Sequence, residues 1–98
     1  MAELRWSERA DRDFREICAY IARSSEKNAR DIARQLHAAA EMLCDHPLIG
    51  SLVPEYERFG VGEWLVENYR VLYRVSGEVV TIAAIYRGTR RLPRRPPK

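Results

Sequence analysis

The stretch ENYRVLYRVSGEVVTIAAIY, residues 67–86, decides the fold. It alternates with a two-residue period from Tyr69 to Val75, which predicts a strand. One face of that strand would carry Tyr69, Val71 and Tyr73, and the other Arg70, Leu72 and Arg74. Ser76-Gly77 predicts a two-residue hairpin turn, because glycine adopts positive φ without steric cost. Val79–Tyr86 is almost entirely apolar, which predicts a central strand covered on both faces.

Two helices are predicted upstream of this hairpin. Ser7 is a good N-cap for a first helix that ends near Arg23, and Ser24-Ser25 separates it from a second helix that ends near Cys44. Apolar residues recur at helical spacing along both segments. A break of only a few residues predicts that the two helices form an antiparallel hairpin.

The remaining segments complete the order of elements. Residues 2–6 alternate and predict a short first strand, residues 45–61 are expected to be irregular, and Glu63–Val66 predicts a strand that turns at Glu67-Asn68. The predicted class is therefore α+β, with an N-terminal strand and an antiparallel helical hairpin packed on a small antiparallel β-sheet. We expect a single domain over residues 1–89, followed by a basic, proline-rich tail over residues 90–98 without helix or strand.

Composition excludes several classes of protein. The chain has 98 residues, enough for one modest core. No apolar run approaches the roughly 20 residues that span a bilayer. The N-terminus lacks a hydrophobic signal region, so a cytoplasmic protein is expected. The two cysteines have no metal-site spacing and form no disulfide framework, so free thiols in the core are expected.

Charge is distributed unevenly along the chain. Residues 1–69 carry nine Lys/Arg against thirteen Asp/Glu, whereas residues 70–98 carry eight Lys/Arg against one acidic residue, a net charge of +7. The second block is a candidate anion-binding surface. Its candidate binding residues are Arg70, Arg74, Arg87, Arg90 and Arg91.

Two kinds of anion would suit these arginines. With the nearby tyrosines they could bind RNA phosphates and bases, or they could bind an acidic protein segment. The alternative for Arg70 is an ion pair with Glu63 or Glu67 on the neighbouring strand, and the alternative for Tyr69 and Tyr73 is a place in the core.

No catalytic residue is assigned from the residues alone. His37 lies beside the apolar stripe of the second helix and His46 lies at its end, so both are expected to be structural or exposed. No metal-ligand spacing and no glycine-rich phosphate loop is present in the sequence. No metal and no cofactor is therefore expected.

Five segments in chain order resemble the RelE/ParE superfamily of bacterial toxins from type II toxin–antitoxin systems, and ParE more closely than RelE. The five segments are Trp6–Ala10, Asp13–Ala22, His46–Gly50, Glu67–Val75 and Val79–Pro93. They cover nearly the whole chain. The resemblance implies the α+β fold already predicted and a cognate antitoxin, usually acidic, that neutralises the toxin.

The branches of the superfamily imply different activities. A ParE-like protein would inhibit DNA gyrase without catalytic residues of its own, and its basic C-terminal segment would be a contact surface. A RelE-like protein would be a ribosome-dependent, metal-independent mRNA endonuclease, with Arg70, Tyr86 and Arg87 as the candidate catalytic residues. A third possibility is an inactive member that only binds its antitoxin and serves as a co-repressor. Residues 52–66 contain no lysine, where many RelE-like enzymes have basic residues, and we therefore favour the ParE-like interpretation.

Overall fold

The computed structural model describes residues 2–88 and 92–97. The two helices and the four predicted strands follow the expected order, with two additions after the second helix, a short strand and a 3-10 segment. The elements are β1 (Glu3–Trp6), α1 (Glu8–Ala22), α2 (Glu26–Asp45), β2 (Ser51–Leu52), a 3-10 segment (Pro54–Phe59), β3 (Gly62–Val66), β4 (Tyr69–Ser76) and β5 (Val79–Arg87). The predicted α+β class is confirmed.

The five strands form one sheet in the order β1-β5-β4-β3-β2. The β2-β3, β3-β4 and β4-β5 pairs are antiparallel, but β1 runs parallel to β5. The sheet is therefore mixed rather than purely antiparallel as predicted. The difference arises because β1 does not join a hairpin. The helices intervene between β1 and the rest of the sheet, and such a crossover permits parallel pairing.

Short loops join the last three strands as the sequence predicts. Val66 pairs with Tyr69, which places the turn at Glu67-Asn68. In the next turn Ser76 pairs with Val79, so the loop is Gly77-Glu78, one residue later than predicted. Gly77 has a φ of 60°, the positive value for which glycine is suited.

Serine caps position both helices. The Ser7 side chain accepts a hydrogen bond from the Ala10 backbone N–H, and Ser25 does the same for Asn28. The apolar faces of both helices pack on one side of the sheet and form what we call the main core. Its buried residues include Leu36 and Leu43 of α2. Tyr73 belongs to this core and Tyr69 packs against it, which confirms their predicted place facing the helices.

The opposite face of the sheet has a smaller core of its own, which we call the second core. It consists of Val53, Tyr56, Val61, Leu72, Ala84, Tyr86 and Leu92. The prediction that residues 45–61 are irregular is wrong in part, since β2 and the 3-10 segment lie there. The 3-10 segment supplies Tyr56 to the second core and thereby covers the sheet face that the helices leave open.

A bulge in β5 allows this strand to serve both cores. Leu72 pairs with Ala84 and Tyr73 with Ile82, so Ala83 has no partner on β4. The extra residue shifts the alternation and places both Ile82 and Ile85 in the main core. The start of α1 binds the bulge, because Ser7 Oγ donates to the Ala83 carbonyl at 2.9 Å and the Asp13 carboxylate accepts from the Ile85 N–H at 2.9 Å.

Candidate functional site

Arg70 is held in place by carboxylates. Its Nε and Nη2 atoms donate to Glu63 Oε2 at 2.7 and 2.6 Å, and Nη2 lies 3.9 Å from Glu55 Oε1. Only 14% of the Arg70 side chain is exposed. The predicted alternative of an ion pair with Glu63 is confirmed, and Glu55, which comes from the distant 3-10 segment, joins it. Its positive charge is therefore largely balanced by the carboxylates of Glu63 and Glu55.

Arg74 lies near the other end of β4. It pairs with Thr81 across the sheet and is partly exposed, beside the exposed Val75. Arg70 and Arg74 share a face with Leu72, as predicted, because Leu72 belongs to the second core and the residues between them belong to the main core. A role of either arginine in partner binding stays a prediction.

Arg87 faces the helices instead. Its partner across the sheet is Tyr69, which packs against the main core. The Arg87 side chain borders a groove of about 510 Å³ between α1 and the ends of β4 and β5. The groove is lined by Asp13, Glu16, Ile17, Tyr20, Tyr69, Ile85 and Arg87. We call it the α1 groove. It combines an apolar floor with charges of both signs.

Tyr86 is buried on the second face of the sheet. Only 3% of the residue is exposed, and its hydroxyl makes no well-formed hydrogen bond among the described residues, although its charge interaction with Arg9 contributes to the raised pKa of that arginine. The Arg9 guanidinium carbon lies 5.0 Å from the centre of the Tyr86 ring, within the range of a cation–π contact. Leu92 packs into the same cluster and Tyr56 Oη donates to the Pro93 carbonyl at 2.5 Å.

Two of the three residues proposed for an endonuclease share a cavity: Arg70 and Arg87 both line a space of about 650 Å³ beside the β3–β4 turn, and Tyr86 does not. Arg70 and Tyr86 are direct neighbours across β4 and β5, on the second face. Arg87 lies on the helix-facing side with Tyr69. Arg90 and Arg91, the last two predicted partner-binding residues, lie outside the described residues.

Arg9 and Asp13 were not identified in the sequence as residues of these surfaces. The two side chains form an ion pair on α1 with a bifurcated hydrogen bond. The Arg9 Nε atom lies 2.9 and 3.0 Å from the two oxygens of the Asp13 carboxylate. Burial alone would lower the pKa of Arg9, but the hydrogen bond and charge of Asp13 outweigh it and raise that pKa. In the sequence, only the four-residue spacing of Arg9 and Asp13 indicated this ion pair. The exposed pair Asp11–Arg15 has the same spacing, so the spacing does not identify the more buried pair.

Burial also changes the acidity of two tyrosines. It raises the pKa of Tyr73, against the hydrogen bond that its oxygen accepts from Gly50. It raises the pKa of Tyr56 as well, with the neighbouring Tyr86 adding to the effect. Both hydroxyls stay protonated and act as donors, Tyr73 to the Pro47 carbonyl and Tyr56 to that of Pro93.

No cluster that could hold a metal ion occurs among residues 2–88 and 92–97. Over the same residues no helix is both long enough and apolar enough to cross a membrane. Both cysteines are half-buried free thiols. The described side chains thus provide three candidate sites: the α1 groove, the cavity shared by Arg70 and Arg87, and a covered aromatic cluster.

The fold defines the class of protein: a small α+β domain in which a helical hairpin covers one face of a mixed five-stranded sheet. The chain belongs to the family described as the ParE toxin of the type II toxin–antitoxin system parDE, whose model matches residues 4–92. The closer resemblance to ParE that the five sequence segments predicted is confirmed.

A solved structure supports the fold assignment. A chain of the chromosomal ParDE toxin–antitoxin system from P. aeruginosa superposes with a TM-score of 0.70 at 23% sequence identity. The match covers 89% of this chain and 96% of that one. No curated protein matches this chain.

Proposed function

We propose that this protein is a toxin that inhibits DNA gyrase and is neutralised by a cognate antitoxin. The observation that carries the proposal is the family match over residues 4–92. The positions of Arg70, Tyr86 and Arg87 support the gyrase branch over mRNA cleavage. Phosphoryl transfer needs a proton donor or acceptor within hydrogen-bond reach of the reacting atoms, and Tyr86 is buried and does not line the cavity that Arg70 and Arg87 share.

The first test compares the two targets directly. Purified protein is incubated with gyrase, ATP and supercoiled plasmid, and linear cleaved DNA is scored. A parallel reaction contains ribosome-bound mRNA. Linear DNA with intact mRNA is the expected result. Cleaved mRNA with unaffected gyrase would overturn the proposal in favour of the endonuclease, and Arg70→Ala should then abolish cleavage.

The α1 groove is the surface we propose for the antitoxin. Its floor contains Ile17, Tyr69 and Ile85, and the aromatic residue Tyr20 at its side is 60% exposed. Such residues are typical anchors of an interface. Arg87 supplies a cation at the border that suits an acidic partner segment.

A charge reversal tests this surface. We expect Arg87→Glu to weaken antitoxin binding by about tenfold or more, because it places a like charge against an acidic segment. Arg15→Glu is the matched control, since Arg15 is exposed on α1 but does not line the groove. Equal binding by both variants in calorimetric titrations would place the antitoxin elsewhere. The antitoxin itself is sought as an acidic reading frame immediately upstream of the toxin gene.

A further inference from the structure

The C-terminal residues 92–97 cross the second face of the sheet. Leu92 is 9% exposed and belongs to the second core. The next residue, Pro93, accepts a hydrogen bond from Tyr56 Oη. Pro97 shares a shallow cavity with Ser7 and Arg9, at the start of α1. The segment therefore lies over the second core and ends beside the first helix.

Few contacts hold this segment. Leu92 is its one buried side chain, Pro96 and Pro97 are half-buried, and Arg94 and Arg95 are exposed. The bond from Tyr56 is its one hydrogen bond among the described residues, and the segment joins no strand. Ordering each residue of a chain opposes docking through lost conformational entropy. The docked arrangement thus depends on one buried leucine, two half-buried prolines and one hydrogen bond.

The residue beneath the segment favours its release. The Tyr86 hydroxyl is buried and makes no well-formed hydrogen bond among the described residues, and the neighbouring Arg9 guanidinium lies against the ring. A buried polar group that lacks a hydrogen bond is unfavourable, and water would satisfy it as soon as the segment lifted. The neighbouring Tyr56 hydroxyl would likewise exchange its bond to Pro93 for one to water. Docked and released states should therefore be close in free energy.

We infer that residues 92–97 are a reversible cover, which occupies a peptide-binding groove on the second face of the sheet. The groove takes an extended segment with an apolar side chain, held by Leu72, Ala84 and the other second-core residues, and a backbone carbonyl, held by Tyr56. In the free protein the occupant is the chain's own Leu92-Pro93. This site is separate from the α1 groove and does not depend on the proposed target.

The test measures the exposure of Tyr86. The full chain is labelled with 3-fluorotyrosine, the Tyr86 fluorine resonance is assigned with Tyr86→Phe, and its shift between H₂O and D₂O reports contact with solvent. We expect Leu92→Ala to raise the ratio of open to covered molecules roughly thirtyfold, because it removes a buried leucine side chain. Leu48→Ala is the matched control, since Leu48 is 91% exposed, and should leave the Tyr86 resonance unchanged.

A peptide added in trans completes the test. A synthetic peptide of residues 90–98 should re-cover Tyr86 in the Leu92→Ala protein, and the same peptide with alanine in place of its leucine should not. Tyr56→Phe, a milder change, should raise the open-to-covered ratio about fivefold through loss of one hydrogen bond. A Tyr86 resonance that stays solvent-shielded in both variants would overturn the inference. Global unfolding of the Leu92→Ala protein would also overturn it, since the segment would then be a fixed part of the core.

Discussion

At the scale of single residues, Asp13 connects a helix to a strand defect. Its carboxylate binds Arg9 on the same helix and the Ile85 N–H just after the β5 bulge. Ile85 pairs with Val71 of β4 but lies beyond Ile82, the last β5 residue that pairs with β1, and a carboxylate is a strong acceptor for its N–H. The Asp13 carboxylate therefore accepts hydrogen bonds from both a strand N–H and a partly buried arginine.

We expect Asp13→Ala to reduce the free energy of unfolding by about 3 kcal/mol, because it leaves a buried N–H and a guanidinium without partners. Asp13→Asn should cost less, since the amide oxygen can still accept from Ile85. The control is Asp11→Ala, whose pair with Arg15 is exposed and should be worth about 0.5 kcal/mol or less. Urea denaturation curves give all three values, and equal losses for Asp11 and Asp13 would refute the bridging role.

Arg70 and Arg74 occupy the same face of β4, but their surroundings differ. Arg70→Ala should keep the fold and yet lower the free energy of unfolding by about 1–2 kcal/mol, because it leaves the mostly buried Glu63 carboxylate unpaired. Arg74→Ala should change it by about 0.5 kcal/mol or less. A double-mutant cycle with Glu63→Gln measures the coupling, which should be absent for Arg74.

At the scale of elements, the loop after α2 is built around one tyrosine. The Tyr73 hydroxyl donates to the Pro47 carbonyl at 2.8 Å and accepts from the Gly50 N–H at 3.1 Å. A Cβ atom at Gly50 would lie 2.4 Å from that hydroxyl and 2.7 Å from the Glu63 carbonyl oxygen. The HPLIG segment thus joins the end of α2 to the middle of the sheet, and only glycine fits its last position.

We therefore expect Gly50→Ala to destabilise the protein by about 1–3 kcal/mol, the usual cost of overpacking. The Glu63 carbonyl is backbone and cannot move aside as a flexible side chain would. Ser51→Ala, at the exposed next residue, is the control and should be near neutral. Thermal unfolding followed by circular dichroism measures both, and an unchanged melting temperature for Gly50→Ala would contradict the close approach of Tyr73.

At the scale of the whole molecule, acidic and basic residues are separated along the sequence but are partly mixed on the folded surface. The basic block of residues 70–98 includes Arg70, which the acidic Glu63 and Glu55 compensate, and Arg87, which borders the α1 groove beside Glu16. A net charge of +7 over residues 70–98 should still steer an acidic partner at long range. The steering and the final contacts are thus separate properties.

Given the proposed antitoxin, we expect its association rate constant to fall about tenfold as ionic strength rises from roughly 0.05 to 0.5 M, because salt screens exposed charges. The pair of changes Arg74→Gln and Arg87→Gln should flatten this dependence. Arg5→Gln with Arg15→Gln removes as much charge from outside the basic block and should leave the slope nearly unchanged. Stopped-flow measurements give the rates, and parallel slopes for the two double variants would argue against steering by the basic block.

The local pattern of the sequence determined the elements. Ser7 and Ser25 cap the helices as predicted, because a cap is a contact within a few residues. The alternation from Tyr69 to Val75 correctly separated the core tyrosines from the two arginines, since the period of a strand assigns its faces. Helix caps and strand faces depend on residues that are close along the chain, so the local sequence is enough to predict them.

Only the tertiary structure decided which distant residues share a surface. The bulge at Ala83, the Asp13 bridge and the contact of Glu55 with Arg70 join segments far apart in sequence. Leu92 likewise shares the second core with Val53, which is far from it in sequence. Tyr86 is buried in that core, apart from the cavity that Arg70 and Arg87 line. Periodicity assigns each side chain to a face of its own element, but it carries no information on which other segment covers that face. Here the cover comes from the 3-10 segment and the C-terminus, and packing alone places them there.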